Sequence, residues 1–444
     1  MQLKIKKLQS DQPKSSVRSA LTVATCAVLS GSLSPVCASD EEEVSDLSKI
    51  GLSTFYYSEE ERVSVNTTHV AIENDLGDDT FLRANVIYDT ITGASPNGRI
   101  IPTSTGGSSI PFTSASGFSV NINDNGSAGK RWLTEFTDKR AAFDLSIEKP
   151  LTRNLRGVLE GNFSSENDFT AYGAAGTIAW DLHQRNTTIT SGLGVLKETV
   201  SPASGTPLEL GVANCNDTAP VLPSWETCNV TSPRFGNGQK RVFDGMVGVT
   251  RVLNQRTITQ LNYSLGVSLG YLTDPYKLIS VIDNSIEGEE VMILYEKRPD
   301  RRTRHSLYWK TVSQLTDKKV VDFSYRYFWD DWGITSHTFD YKYRYDFKPK
   351  SYLQPHVRLN LQSSADFFQR AIDSSVASLP QYASADYRLG KLTTYSIGLK
   401  YGKELGVNGS FGVRAEYIVQ AYSGVDLPDM NALVYQGTFT FKFK

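Results

Sequence analysis

Cysteine is nearly absent from this chain, with four among 444 residues. Two of them, Cys26 and Cys37, fall in the first 38 residues, which leaves Cys215 and Cys228. That scarcity excludes a disulfide-built scaffold and a thiolate metal cluster. Histidine is equally thin. The five His residues form no HxH or HExxH pair, and neither a CxxCH haem site nor a GxSxG elbow occurs. Charge of one sign is lacking too: 46 basic residues against 48 acidic ones give a net of -2. No basic patch of the kind that binds nucleic acid follows from that balance. Past the N-terminus there is no run near the ~18 apolar residues of a membrane-crossing helix, and mean hydropathy is only -0.31.

What is present is alternation. In Val320–Phe347, Val321, Phe323, Tyr325, Tyr327 and Trp329 share one face, and Asp322, Ser324, Arg326 and Asp330 share the other. The return arm sets His337, Phe339, Tyr341, Tyr343, Tyr345 and Phe347 against Thr338, Asp340, Lys342, Arg344 and Asp346. A period of two means extended strands. The turn Asp330-Asp331-Trp332-Gly333 suits a type I geometry. One face is almost wholly aromatic while the other carries charges of both signs. Charges aimed at a dry core would cost several kcal/mol each, whereas a water-filled lumen accommodates them. Tyr and Trp suit the lipid headgroup level. The hairpin therefore reads as part of a transmembrane β-barrel rather than of a soluble β protein.

The pattern repeats along the chain. Strands are expected at 50–58, 61–74, 80–91, 139–149, 154–164, 169–182, 187–199, 240–252, 257–271, 302–315, 319–329, 335–347, 351–363, 392–402, 408–420 and 432–444. The fold class is all-β, an antiparallel barrel of about sixteen strands with both termini periplasmic. Long connections, at 92–138, 200–239, 272–301 and 364–391, all fall on the outer side, as barrels arrange them. At that strand number the lumen is wide enough for water unless a loop fills it, and 92–138 and 200–239 are long enough to do so. Residues 1–38 read as an export signal with a basic n-region, an apolar core and a Val36-Cys37-Ala38 cleavage site. Residues 39–49 form an acidic periplasmic leader and 50–444 the barrel. Losing five basic residues and Asp11 with the signal moves the net charge from -2 to -6. Localisation to the cell outer membrane is expected, with outer-membrane lipid, lipopolysaccharide and the assembly machinery as partners and no cofactor.

Candidate pore-lining residues are Lys310, Arg326, Lys342, Arg344, Arg358, Arg414 and Glu416. Bases outnumber inward acids there, which favours anions, unless the side chains pair with one another. At the outer end, Arg298, Arg301, Arg302 and Arg304 could bind lipid A phosphates or pair with Glu287, Glu289, Glu290 and Glu296. Asp330, Asp331 and Trp332 complete the outer-loop candidates. Cys215 and Cys228 are expected to pair in one loop. Asn121–Gly126 imitates a calcium loop but has Trp132 where the twelfth-position Glu belongs, so no metal site is assigned. Ser336 and His337 are adjacent on a strand and so point to opposite faces, which argues against a hydrolytic triad. No enzyme activity is assigned.

Four stretches carry a family resemblance: Tyr88–Gly98, Leu272–Lys277, Arg298–His305 and Tyr325–Thr338. In this order they are similar to the bacterial family known as domain of unknown function 3570. The resemblance spans nearly the whole mature chain and implies an exported outer-membrane barrel, with no catalytic residue or substrate to carry over. The expected function is passage or binding of a small polar, anionic solute. The rivals are a sheath barrel around a partner protein and, least favoured, an outer-rim hydrolase.

Overall fold

The computed structural model describes residues 48–100, 112–113, 119–120, 132–215, 232–284, 289–424 and 427–443. The signal, residues 39–47 of the leader, Asn121–Gly126, Glu287 and Cys228 lie outside the described residues, as does the side chain of Cys215, while Ser48 and Lys49, expected in the leader, open the first strand. Sixteen strands close into one barrel. In chain order they are β1 (Ser48–Glu59), β2 (Val63–Asp75), β3 (Phe81–Pro96), β4 (Leu133–Thr152), β5 (Leu155–Ser165), β6 (Phe169–Leu182), β7 (Thr187–Val200) and β8 (Gly238–Asn254). There follow β9 (Thr257–Gly270), β10 (Arg301–Thr316), β11 (Lys319–Asp330), β12 (Thr335–Lys348), β13 (Ser351–Gln362), β14 (Leu392–Leu405), β15 (Gly409–Tyr422) and β16 (Met430–Phe443). Each pairs antiparallel with its sequence neighbour, and β16 closes on β1 from Ser48↔Phe443 to Glu59↔Ala432. No edge is left, so every ladder amide in the wall can find a partner inside a membrane.

The alternation sorts side chains as expected. Leu193 is 72% exposed and Ile397 63%, with Tyr395, Val357 and Val195 at half or more. So much exposed apolar surface is untenable in water and suits a lipid-facing wall. Near the long-loop end the aromatics interlock: Tyr263, His305, Trp329, Tyr327, His337, Tyr325 and Phe339 stack across four adjacent strands with centroids 5.0–6.4 Å apart. Tyr263 and Tyr325 hydrogen-bond His305 and His337, each at 2.8 Å. This is an interfacial girdle, dry against its ring faces and polar at its tips.

Two strands run beyond the expected 80–91 and 139–149. β3 continues to Pro96 because Thr92–Pro96 pair with Leu133–Thr137 of β4. Gly93 permits this at φ 132, where a Cβ would lie 2.1 Å from the Arg62 carbonyl oxygen.

The long connections also build structure of their own. Val212–Cys215, Glu289–Tyr295, Leu278–Asp283 and Ala371–Asp373 form a four-stranded sheet in that order. Ile279, Val281, Val291, Met292 and Leu294 are fully buried against Ile372, Ala383 and Ala385. Each such side chain contributes roughly 1.5–3 kcal/mol by leaving water. Among the described residues, this cap draws chiefly on 271–300 and 363–391, with 201–215 contributing one strand, rather than on 92–138 and 200–239 alone.

Candidate functional site: the lumen wall and the outer mouth

The cap crosses the mouth of the barrel. Leu278 follows the ninth strand and Asn97 the third, yet Leu278 N donates to Asn97 O at 2.7 Å. Those strands stand six apart in a ring of sixteen, so the chain spans the opening. Lys277 Nζ donates to Pro96 O and, at 3.3 Å, to Ser95 Oγ. Arg370, between β13 and β14, donates to the carbonyls of Gly98 and Arg99, each at 2.7 Å. Tyr387 packs edge-on against Tyr422 of β15 with centroids 5.7 Å apart.

A balanced ion cluster flanks the cap sheet, with Lys277, Arg298 and Arg388 against Asp274, Glu296 and Asp386. Arg298 pairs with Glu296 at 2.6 Å and Asp386 at 2.7 Å, and Arg388 reaches Asp274 at 2.7 Å. Asp274 N–H and Ser384 Oγ also donate to Glu296. Burial pushes Lys277 below its ordinary range and Glu296 above its own. Burial alone would also raise Asp386, but Arg388, Lys277 and Arg298 outweigh it and hold the carboxyl below the usual range.

The lumen wall is a lattice of charges, most of them neutralised. Lys310 pairs with Asp322 at 3.0 Å, Lys342 with Asp340 at 3.3 Å, Arg344 with Asp346 at 3.0 Å and Arg414 with Glu416 at 3.7 Å. His356 joins Asp340 at 2.8 Å and Glu416 at 3.3 Å. That bridge crosses β14 at Gly398, where a Cβ would sit 3.1 Å from Glu416 Cγ. Arg344 also stacks 4.0 Å over the Tyr352 ring.

Arg326 and Arg358 differ. Both are exposed to the lumen, and among the described residues neither makes an ion pair. Arg358 stands opposite Asp340 in the ladder, but both oxygens of Asp340 are taken by Lys342 and His356. Arg326 faces Thr338, which faces Asn360, two residues beyond Arg358. Strand spacing and rise put the two Arg Cα atoms ~12 Å apart. Guanidinium groups on such stems can converge on one anion.

The outer-loop candidates divide. The Asp330 carboxylate is buried and takes two hydrogen bonds from Arg302, whose guanidinium also lies 4.4 Å from the Trp332 ring centroid. Trp332 is 4% exposed and donates Nε1–H to Arg301 O at 2.8 Å. Asp331 accepts from Thr303 N at 2.8 Å. Arg304 lies 3.7 Å from Asp244, and only Arg301 projects outward at the rim. Arg298, Arg302, Asp330 and Trp332 thus brace the mouth. Ser336 is buried on the lumen side with Asn360 while His337 is exposed outside, so the wall separates them. Sequence reading did not find the acidic cluster of Asp138, Glu166 and Asp168, whose carboxylate oxygens lie within 4.8 Å of one another. Burial, then Asp138, pushes Glu166 up to about 7.

The family model described as "Protein of unknown function (DUF3570)" matches residues 18–433. The chain belongs to the DUF3570 family. Comparison with curated proteins finds no match. Among solved structures, DUF3570 as seen here is similar in outline to a bacterial polysaccharide outer membrane secretin, at 9% identity and TM-score 0.45, covering 90% of this chain and 100% of that one. It is also similar to the CymD monoaromatic hydrocarbon channel, at 8% identity and TM-score 0.39, over 90% and 89% of the two chains. A third likeness is OccK5 (OpdH) of Pseudomonas aeruginosa, at 9% identity and TM-score 0.40, over 90% and 98%.

Proposed function

We propose that this DUF3570 barrel sits in the outer membrane, reached through the cleaved N-terminal signal, and passes small polar solutes with a preference for anions. The observation that carries the reading is the pair Arg326 and Arg358. They are the two bases of the predicted pore-lining set that have no acid partner among the described residues and stay exposed to the lumen. Midway along β10–β13 the other lumen-facing charges pair with one another, so the local potential there is set by the two that do not. The test is the reversal potential of Arg326→Glu/Arg358→Glu in a planar bilayer under a potassium chloride gradient. Preference should move from chloride toward potassium, and an unchanged reversal potential would refute the assignment.

The cap supports a second reading, in which the barrel binds a solute at its mouth and stays closed until the cap moves. The strongest support is the Leu278–Asn97 hydrogen bond across the opening. On this reading the wild type is silent and unlatched cap variants conduct.

A further inference from the structure

On the outer, lipid-facing surface a row of cations lies where the alternation calls for apolar side chains. Lys197 of β7 stands directly opposite Arg241 of β8, Arg241 opposite Leu269 of β9, and Leu269 opposite Arg301 of β10. All three cations are exposed, and among the described residues none makes an ion pair. Lys197 has only the Tyr172 ring, 5.8 Å from its ammonium. Contrast the lumen side of the same place, where Lys240, next to Arg241, is paired with Glu198. Directly opposed side chains have Cβ atoms about 5 Å apart, and like charges there are destabilising.

The neighbouring rows say what would compensate them. One step toward the mid-membrane, Val195 faces Phe243 and Phe243 faces Val267, an apolar row with Val195 and Phe243 about half exposed. One step toward the long-loop end, Thr199 faces Gln239, and the two hydrogen-bond at 3.3 Å. Polar, basic and apolar rows thus follow one another down the wall at the outer end of the strands. This is the profile of a lipid with an anionic headgroup above acyl chains. The basic row covers three strand spacings, ~14 Å, longer than one phosphate group.

We propose that Lys197, Arg241 and Arg301 form a site for the headgroup of a multiply phosphorylated lipid of the outer leaflet. Arg241 and Arg301 hold phosphate oxygens as forks and Lys197 acts as a point charge. The acyl chains lie along Val195 and Phe243. The site rests on the reading of the chain as a membrane barrel, but not on what passes through the lumen.

The test uses full-length mature protein folded into phosphatidylcholine vesicles with or without lipid A, beside the combined variant Lys197→Gln/Arg241→Gln/Arg301→Gln. Lipid retained through detergent exchange is read by native mass spectrometry, and the unfolding midpoint is read in each vesicle type. Wild type should retain lipid A at least about tenfold better than the variant. The midpoints should cross: removing the like charges raises stability in pure phosphatidylcholine and lowers the gain from lipid A. Equal retention, or midpoints that move together in both lipids, would overturn the site. Stabilisation by inorganic phosphate alone to the same extent would overturn the lipid assignment in favour of free phosphate. A chain that never folds into vesicles, by heat-modifiable mobility, would instead sink the barrel reading on which the site depends.

Discussion

Ile397 offers the cleanest test of which side of the wall meets lipid. It lies in the middle of β14, is 63% exposed, and has Val357 and Tyr417 as cross-strand neighbours. If that surface is hydrocarbon, Ile397→Arg places a charge near the membrane midplane, at a cost of about 2–4 kcal/mol. This corresponds to a roughly 30- to 900-fold fall in the folding equilibrium constant. Thr394, three residues away on the same strand, faces the lumen and hydrogen-bonds Gln420 at 3.3 Å. Thr394→Arg should cost no more than ~1 kcal/mol, because water solvates the new charge. Reversible urea unfolding in phosphatidylcholine vesicles, followed by tryptophan emission, measures both. Equal costs for the two variants, or a larger cost for Thr394→Arg, would refute the assignment of faces.

Breaking the ion cluster that flanks the cap sheet should loosen the mouth. Asp386→Asn leaves Arg298 and Arg388 short of charge, and removing one partner of a buried pair costs ~3–5 kcal/mol; amide exchange across Leu278–Asp283 should rise while the barrel strands stay protected. A conductance indifferent to this change would mean that the cap does not restrict passage. The turn at Glu166 should depend on pH. Its folded value of about 7 lies above the ordinary glutamate value of 4.5, so the folded turn binds the proton more tightly. Its contribution is present at low pH and is lost as pH rises through about 7. Exchange at Asn167 and Asp168, corrected for intrinsic rate, should therefore be faster at pH 8 than at pH 5.5, and Glu166→Gln should abolish the difference.

The wall was legible because a barrel strand shows its environment residue by residue. Phe169–Leu182 and the turn at Asp330–Gly333 follow directly from alternation and turn chemistry. The cap was not, although its trace was present: Leu278–Ile282 and Val291–Leu294 are nearly unbroken apolar runs, the pattern of strands buried on both faces. Their length placed them in a loop, and loop length alone does not say that three distant connections share a core. The charge lattice was half legible. Periodicity assigned Lys310, Lys342, Arg344 and Arg414 to the lumen, but pairing depends on partners one strand away or two residues along. Only register and rotamers could therefore separate Arg326 and Arg358 from the rest. The four stretches of the family resemblance meet at the mouth: Pro96 and Asn97, Lys277, Arg298, and Trp332 all brace the cap or its rim.

The most direct test of a solute-passing barrel is the single-channel current of refolded mature protein in a planar bilayer under a salt gradient, for the wild type and for Asp386→Asn. The account predicts discrete steps with a reversal potential on the chloride side, larger or more frequent once the cluster is broken. A folded, heat-modifiable barrel that stays silent in both forms would contradict it and turn attention to a sheath around a partner protein.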